Sequence, residues 1–508
     1  MGVMTGEAEE TSREGRRRGV RLTLIPLLLA MLPSSLGTTI VATSMPTIAG
    51  DLGGVEHLSW AVTSYTLAAA ASTPVWGRLG DMYGRKRWLI VAMSVFLTGS
   101  ALSGLAETMG QLIAARAVQG LGGGGVAVCV MAVIGELIPP RERGKYQGMI
   151  SSVMVFSMIV GPLVGGTITD GLGWRWAFWI NLPLGALALA LVARLVRVPS
   201  RRREAHIDYV GALLLVVCIT SLVLVLTWGG VHYAWHSGAI LVLAAVSVTA
   251  LAGFVLAQSR ATEPVLPPWL FRSRNFTLMS VLSFTNGFVM FGAVFYLPLY
   301  QQAVNGASAA GSGLLLLPML GSLVVVSQFS GRFLANTGNY RVLQIGGAAA
   351  MLLGALMLAR VDTATSRLTV ELSMALLGAG MGSLGQNVVT VAQNSVDLQE
   401  VGVAAAAITL FRTLGNSVGV ALMGTRFNDR VREVMAERTG GAVSLRQTRL
   451  DARGLDRLAP GVRAVYEAAV TEGIRDAFLL GSVAAGLAFV TSLLVRQVAL
   501  RATRGRQS

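Results

Sequence analysis

Fourteen apolar runs, each near the length needed to cross a bilayer, follow one another along the 508 residues. Hydrocarbon takes roughly 20 apolar residues per helix and tolerates only backbone whose amides and carbonyls are paired internally. The runs lie near 22–49, 58–77, 87–106, 111–138, 146–169, 175–194, 209–228, 238–258, 275–300, 311–331, 341–361, 368–394, 401–425 and 474–496. An all-α membrane protein with 14 transmembrane helices is therefore expected. Composition agrees, since 53% of residues are hydrophobic and only 13% charged, against roughly 25% charged in soluble domains.

The formal charge of +15 does not gather on one soluble domain, so no nucleic-acid partner is expected. Basic residues instead punctuate alternate connections. Arg78, Arg85, Lys86 and Arg87 follow the second run, Arg141, Arg143 and Lys145 the fourth, and Arg194, Arg197 and Arg201 to Arg203 the sixth. The connections near 50–57, 106–111, 229–237 and 301–310 hold no Lys or Arg. The positive-inside rule then places both termini and the Asp81 loop in the cytoplasm. Segment 426–473 is Arg-rich yet falls outside, and loops of that size carry little weight in the rule; its Val462–Ala477 stretch reads as a surface helix.

Cys129 and Cys218 both sit in apolar runs, which leaves no disulfide framework and no CxxC site. His232 and His236 have metal-pair spacing but no further ligands nearby, so neither a metal nor a cofactor is expected. Trp228, Tyr233 and Trp235 read as interfacial belt aromatics.

An internal repeat organises the chain. GRLGDMYGRKR, Gly77 to Arg87, aligns with GRFLANTGNYR, Gly331 to Arg341, at an offset of 254 residues, and the same offset carries GPLVGG at Gly161 onto GNSVGV at Gly415. Run 1 thereby maps onto run 9 and run 5 onto run 13. The expected domains are a tail (1–21), a six-helix bundle (22–200), an inserted helix pair (201–274), a second six-helix bundle (275–500) that includes the loop 426–473, and a tail (501–508). Parallel repeats of this kind are an architecture of rocking-bundle transporters, with substrate held between the halves.

The motifs carry a family resemblance over residues 22–500. GRLGDMYGRKR resembles the loop between spans 2 and 3 of the major facilitator superfamily, in which Gly77, Arg78, Asp81, Gly84, Arg85 and Arg87 would latch the halves together. Stop-transfer duty explains the basic residues but not Asp81. RAVQGLGGGG, from Arg116, resembles a span-4 motif linked in the family to proton transfer; snorkelling to the interface is the alternative reading of Arg116. GPLVGG resembles the exporter signature, with Gly161, Pro162, Gly165 and Gly166 shaping a close helix contact. LGTTIVATSMP, Leu36 to Pro46, resembles the span-1 signature of the fourteen-span drug:proton antiporter branch, but has Gly37 where that signature has Asp and Ala42 where it has Asn.

Glu136 reads equally as a proton carrier or an interfacial charge beside Pro139 and Pro140; Asp81 is a further coupling candidate. Cavity candidates are Gly37, Tyr65, Asn286, Gln386, Asn387 and Arg412, although hydrogen bonding between helices explains the polar ones as well. With no acid in span 1 and Arg116 and Arg412 as the deepest charges, the expected substrates are neutral or anionic lipophiles. No HExxH, GxSxG or Walker A sequence supports an enzyme. The resemblance implies a proton-coupled antiporter for small lipophilic compounds, functional as a monomer in a bacterial inner membrane. A metabolite or lipid importer or exchanger of the same fold is the alternative.

Overall fold

The computed structural model describes residues 23–499 apart from 38, 42–43, 45–46, 49–50, 53–57, 139, 197–207, 230–232, 262–263, 265, 305–314, 364, 398–399 and 440–459. Among the described residues there are helices and no strand beyond an isolated bridge between Gly229 and Tyr233. His232, Ala42 and Pro46, singled out above, lie outside the described residues.

The long helices are α1 (Thr23–Val41), α2 (Leu58–Tyr83), α3 (Arg85–Gly104), α4 (Met109–Leu137), α5 (Pro140–Leu172), α6 (Trp176–Leu195) and α7 (Tyr209–Trp228). They continue as α8 (Gly238–Arg260), α9 (Arg274–Ala303), α10 (Leu317–Thr337), α11 (Tyr340–Leu358), α12 (Arg367–Asn394), α13 (Val401–Thr439) and α14 (Pro460–Leu493). Eleven of these are long and apolar enough to cross a membrane; α2, α5 and α7 are the other three. In α7 the apolar stretch is the shorter Val210–Leu226.

The repeat is visible in how helices touch. Gly120 and Gly124 of α4 let the Tyr65 and Ala69 carbonyls of α2 come where a Cβ would stand, and Gly378 and Gly382 of α12 do the same for Met319 and Leu323 of α10. Gly161 of α5 abuts Thr39 of α1, and its mate Gly415 of α13 abuts the Phe284 carbonyl of α9. In lipid, where apolar contact alone drives no association, such small residues supply the close packing that holds a bundle. Helices α1–α6 and α9–α14 thus form two bundles of matching design, each around its own buried apolar core.

The inserted pair is lopsided. Helix α7 lies against both α2 and α13, with Leu215, Ile219 and Val223 joining Ala70 and Ala71 in one buried cluster, while α8 packs on α7. Trp228, expected as a belt aromatic, meets Trp60 of α2 edge to face at 5.1 Å and Tyr233 at 5.8 Å, which makes it a packing residue. Segment 426–473 is not simply a loop. Residues 426–439 continue α13 and residues 460–473 lead into α14, tied by Arg426–Asp476 at 2.8 Å, Arg430–Glu472 at 2.7 Å and Arg438–Glu472 at 2.8 Å. The 39 residues of α13 span roughly 58 Å at 1.5 Å per residue, about twice the hydrocarbon thickness.

Candidate functional site

At the turn between α2 and α3, Gly84 has φ 100°, a left-handed conformation that a side chain resists, and it reverses the chain so that Arg85 folds back on Asp81. Arg85 donates from Nε (3.0 Å) and Nη2 (2.8 Å) to Asp81 Oδ1, and from Nη1 to Glu136 Oε2 and the Ala132 carbonyl of α4, both at 3.1 Å. One guanidinium thus holds two carboxylates, with the side chains of Arg85 and Asp81 only 7% and 3% exposed. Burial of the Arg85–Asp81 pair beside a partly exposed Glu136 is tolerable here because each charge has an opposite partner and directed hydrogen bonds.

The free oxygen of Asp81 reaches across to the other bundle. Asp81 Oδ2 accepts from the backbone N–H of Val403 at 2.8 Å, capping the first turn of α13, where unpaired amides and the helix dipole favour an anion. Small residues permit the approach: a Cβ on Gly402 would collide with the Asp81 carboxylate, and one on Gly77 would lie 2.6 Å from the Ala406 Cβ. Nearby, Gln393 Nε2 donates to the Met131 carbonyl at 3.5 Å and Gln328 Nε2 to Ser152 Oγ at 3.1 Å. Ala405 of α13 is buried within the core of the first bundle. The Asp81 end is therefore the closed end between the bundles. Arg78 is half-buried one turn before Asp81, and Arg87 is exposed.

The repeat does not copy the charges. Gly338, mate of Gly84, keeps a positive φ of 68°, but Ala335 and Asn339 stand where Asp81 and Arg85 would be. The latch is one-sided.

Arg116 does not snorkel: it is 1% exposed. Its Nε donates to the Ala61 carbonyl at 3.1 Å and its Nη1 to Gln119 Oε1 at 2.7 Å, and its guanidinium carbon sits 4.4 Å from the Tyr65 ring centre. Gln119 and Asn181 each donate to Ser100 Oγ at 3.0 Å, and Ser100 donates to the Phe178 carbonyl at 2.9 Å. Tyr65, a cavity candidate from the sequence, is buried and lines this cluster. Gly37 belongs to it as well, since a Cβ there would lie 3.3 Å from Asn181 Nδ2 and 3.6 Å from Oδ1.

Asn286 and Asn387 are buried within the second bundle, each with an Oδ1 that accepts no hydrogen bond among the described residues. Gln386 lies on α12, its side chain outside the description. Arg412, in α13, is half-buried, and its guanidinium has no hydrogen-bond or ion-pair partner among the described residues. Of the exporter-like motif, Gly161 and Gly165 are buried, whereas a Cβ on Gly166 would meet nothing within 4 Å; the Pro162 ring is outside the description. Sequence reasoning missed Gln119, Ser100, Asn181 and Gly402. Two signals were available: Gln119 stands one helical turn after Arg116, and the 254-residue offset maps Gly148 onto Gly402.

A family model described as Major Facilitator Superfamily matches residues 27–420. The chain belongs to that superfamily. An uncharacterised MFS-type transporter of Mycobacterium tuberculosis is 38% identical over 93% of this chain and 69% of its own length. Two Bacillus subtilis proteins are also similar: the multidrug transporter protein MdtP, 35% identical over 84% and 79% of the respective chains, and Multidrug resistance protein 3, 33% identical over 96% and 97%. Among solved structures, the human organic anion transporter MFSD10 matches with a TM-score of 0.62 at 12% identity over 92% of this chain and 99% of that one. The proton:xylose symporter XylE matches with 0.61 at 15% over 92% and 95%. These last two share the fold alone. This major facilitator protein is a multi-pass membrane transporter and not an enzyme.

Proposed function

We propose that this chain exports small lipophilic compounds in exchange for protons by alternating access. The observation that carries the reading is the Asp81 to Val403 contact, a charge-dependent tie that closes one end of the space between two matched bundles. A tie of this kind is worth having only if it breaks in each cycle. Relatives named for multidrug transport cover nearly the whole chain, which supports efflux over uptake. The long helices are taken to cross the membrane fourteen times, with both termini and the Asp81 end on the cytoplasmic face of a bacterial inner membrane. Residues 22–200 and 275–500 are the rocking units, 201–274 the insertion, and one copy of the chain suffices.

Asp81 and Glu136 are the proposed proton carriers: a proton on Asp81 weakens its hold on the Val403 amide and loosens the closed end, while Glu136 keeps Arg85 paired and is the second carboxylate on the same guanidinium. Arg116, with neutral partners only, orients the first bundle around them. Accumulation in inverted vesicles under an imposed pH gradient, screened over a diverse compound panel, tests the reading. Uptake that follows the compound gradient and ignores the pH gradient would refute proton coupling.

A further inference from the structure

Seven residues, two helical turns, separate Ala405 from Arg412 on α13, so the two side chains leave the helix within about 20° of one another. Ala405 is buried in the core of the first bundle. Arg412 therefore leaves α13 on the side of the first bundle, about 10 Å along the helix axis from Ala405 and the closed end. No partner among the described residues neutralises it. Among the described residues, Asp81 and Glu136 share Arg85, Glu371 pairs with Arg367, and Asp429, Glu433, Glu472 and Asp476 serve the extended ends of α13 and α14. Gly37, the place for an acid in span 1, faces Asn181. The second deep cation, Arg116, is sealed behind Tyr65 and adds positive potential without offering a contact.

We infer that Arg412 is a substrate-recognition residue and that its ligands are lipophilic monoanions, a carboxylate or sulfonate on an apolar body. The inference rests on the export reading for its setting but concerns binding, which needs no gradient. A half-buried guanidinium in a low-dielectric space favours an anion and repels a cation, and its planar fork matches a carboxylate edge to edge. The apolar body would lie along the uncharged walls of the bundles.

The test is equilibrium binding to purified full-length protein in detergent, using dansyl-undecanoic acid, its neutral primary amide and the monocation ethidium. Wild type is expected to bind the acid at least ten-fold tighter than the amide, and ethidium more weakly than either. In Arg412→Gln the acid-to-amide ratio should fall to within two-fold, and in Arg412→Lys it should stay above about three-fold. Equal affinity for acid and amide in wild type overturns the inference, as does an undiminished ratio in Arg412→Gln. Should Arg412→Gln fail to purify, the wild-type ratio decides alone. Displacement of the acid by phosphatidylglycerol at equal potency would reassign Arg412 to a lipid headgroup and overturn it too. Anion-selective binding without pH-driven efflux would sink the coupling reading and leave this one standing.

Discussion

Replacing Asp81 by Asn should unlock the closed end while leaving each bundle folded. The carboxylate serves Arg85 with one oxygen and the Val403 amide with the other. Asn offers one acceptor for these two donors and carries no charge. A hydrogen bond to a charged group is worth about 1.5–3 kcal/mol, and the attraction of an anion to a helix N-terminus about 0.3–1 kcal/mol more. Glu136 continues to balance Arg85, which limits the loss to the cross-bundle part of the network. About 2 kcal/mol of closed-state stability is then expected to disappear, which raises the open-to-closed ratio roughly 30-fold. An open fraction of roughly 1% would grow to about a quarter. Spin labels at Arg194→Cys on α6 and Asn336→Cys on α10, both exposed near this end, read the change as a second, longer distance in pulsed dipolar spectroscopy. Buried Cys129 and Cys218 would first be replaced by alanine. A distance distribution identical to that of the unsubstituted chain would refute the latch.

Gly402→Ala should reproduce that phenotype from the opposite side, because the new methyl takes the space of the Asp81 carboxylate; a closed-state distance left intact would show that the contact is not needed for closure. Gly161→Ala should lower thermal stability by about 1–3 kcal/mol through collision with Thr39, whereas Gly166→Ala should stay within about 0.5 kcal/mol; equal melting temperatures would contradict the α1 to α5 contact. Arg116→Lys keeps the charge but cannot reproduce the bonds to Ala61 and Gln119, so a loss of about 1–3 kcal/mol is expected in detergent melts, and none at all would argue against that buried geometry.

The sequence shows Asp81 readily, because an acid among basic residues at the end of an apolar run has no bland explanation. It does not show what Asp81 holds, since the partner is a backbone amide, and every residue has one. The repeat was legible for the same reason that it matters physically: glycines at helix contacts cannot be exchanged without opening the packing, so Gly161 and Gly415 stay aligned. A fixed offset misses the equivalence of Gly120 with Gly378, because the connections between the helices differ in length. Polarity on an apolar helix marks a need for a partner but not which one, and for Tyr65 the neighbour that the sequence does not name is Arg116. The long α13 to α14 hairpin was hidden by its own ion pairs, which make its helices read as a polar loop.

The placement of α7 has a bearing on traffic from the lipid. The two bundles share two seams, one where α2 meets α13 and one where α5 meets α10. Helix α7 lies along the first, gripping both sides, and the 3-10 turn Pro268–Arg272 that follows α8 sets Phe271 against Phe411 at 6.1 Å, with Trp269 donating to Glu400 at 2.8 Å just ahead of α13. It acts as a weatherstrip on that side only. On the export reading, a molecule arriving sideways from the acyl chains would meet α7 on the first flank and only the direct contact of α5 with α10 on the second.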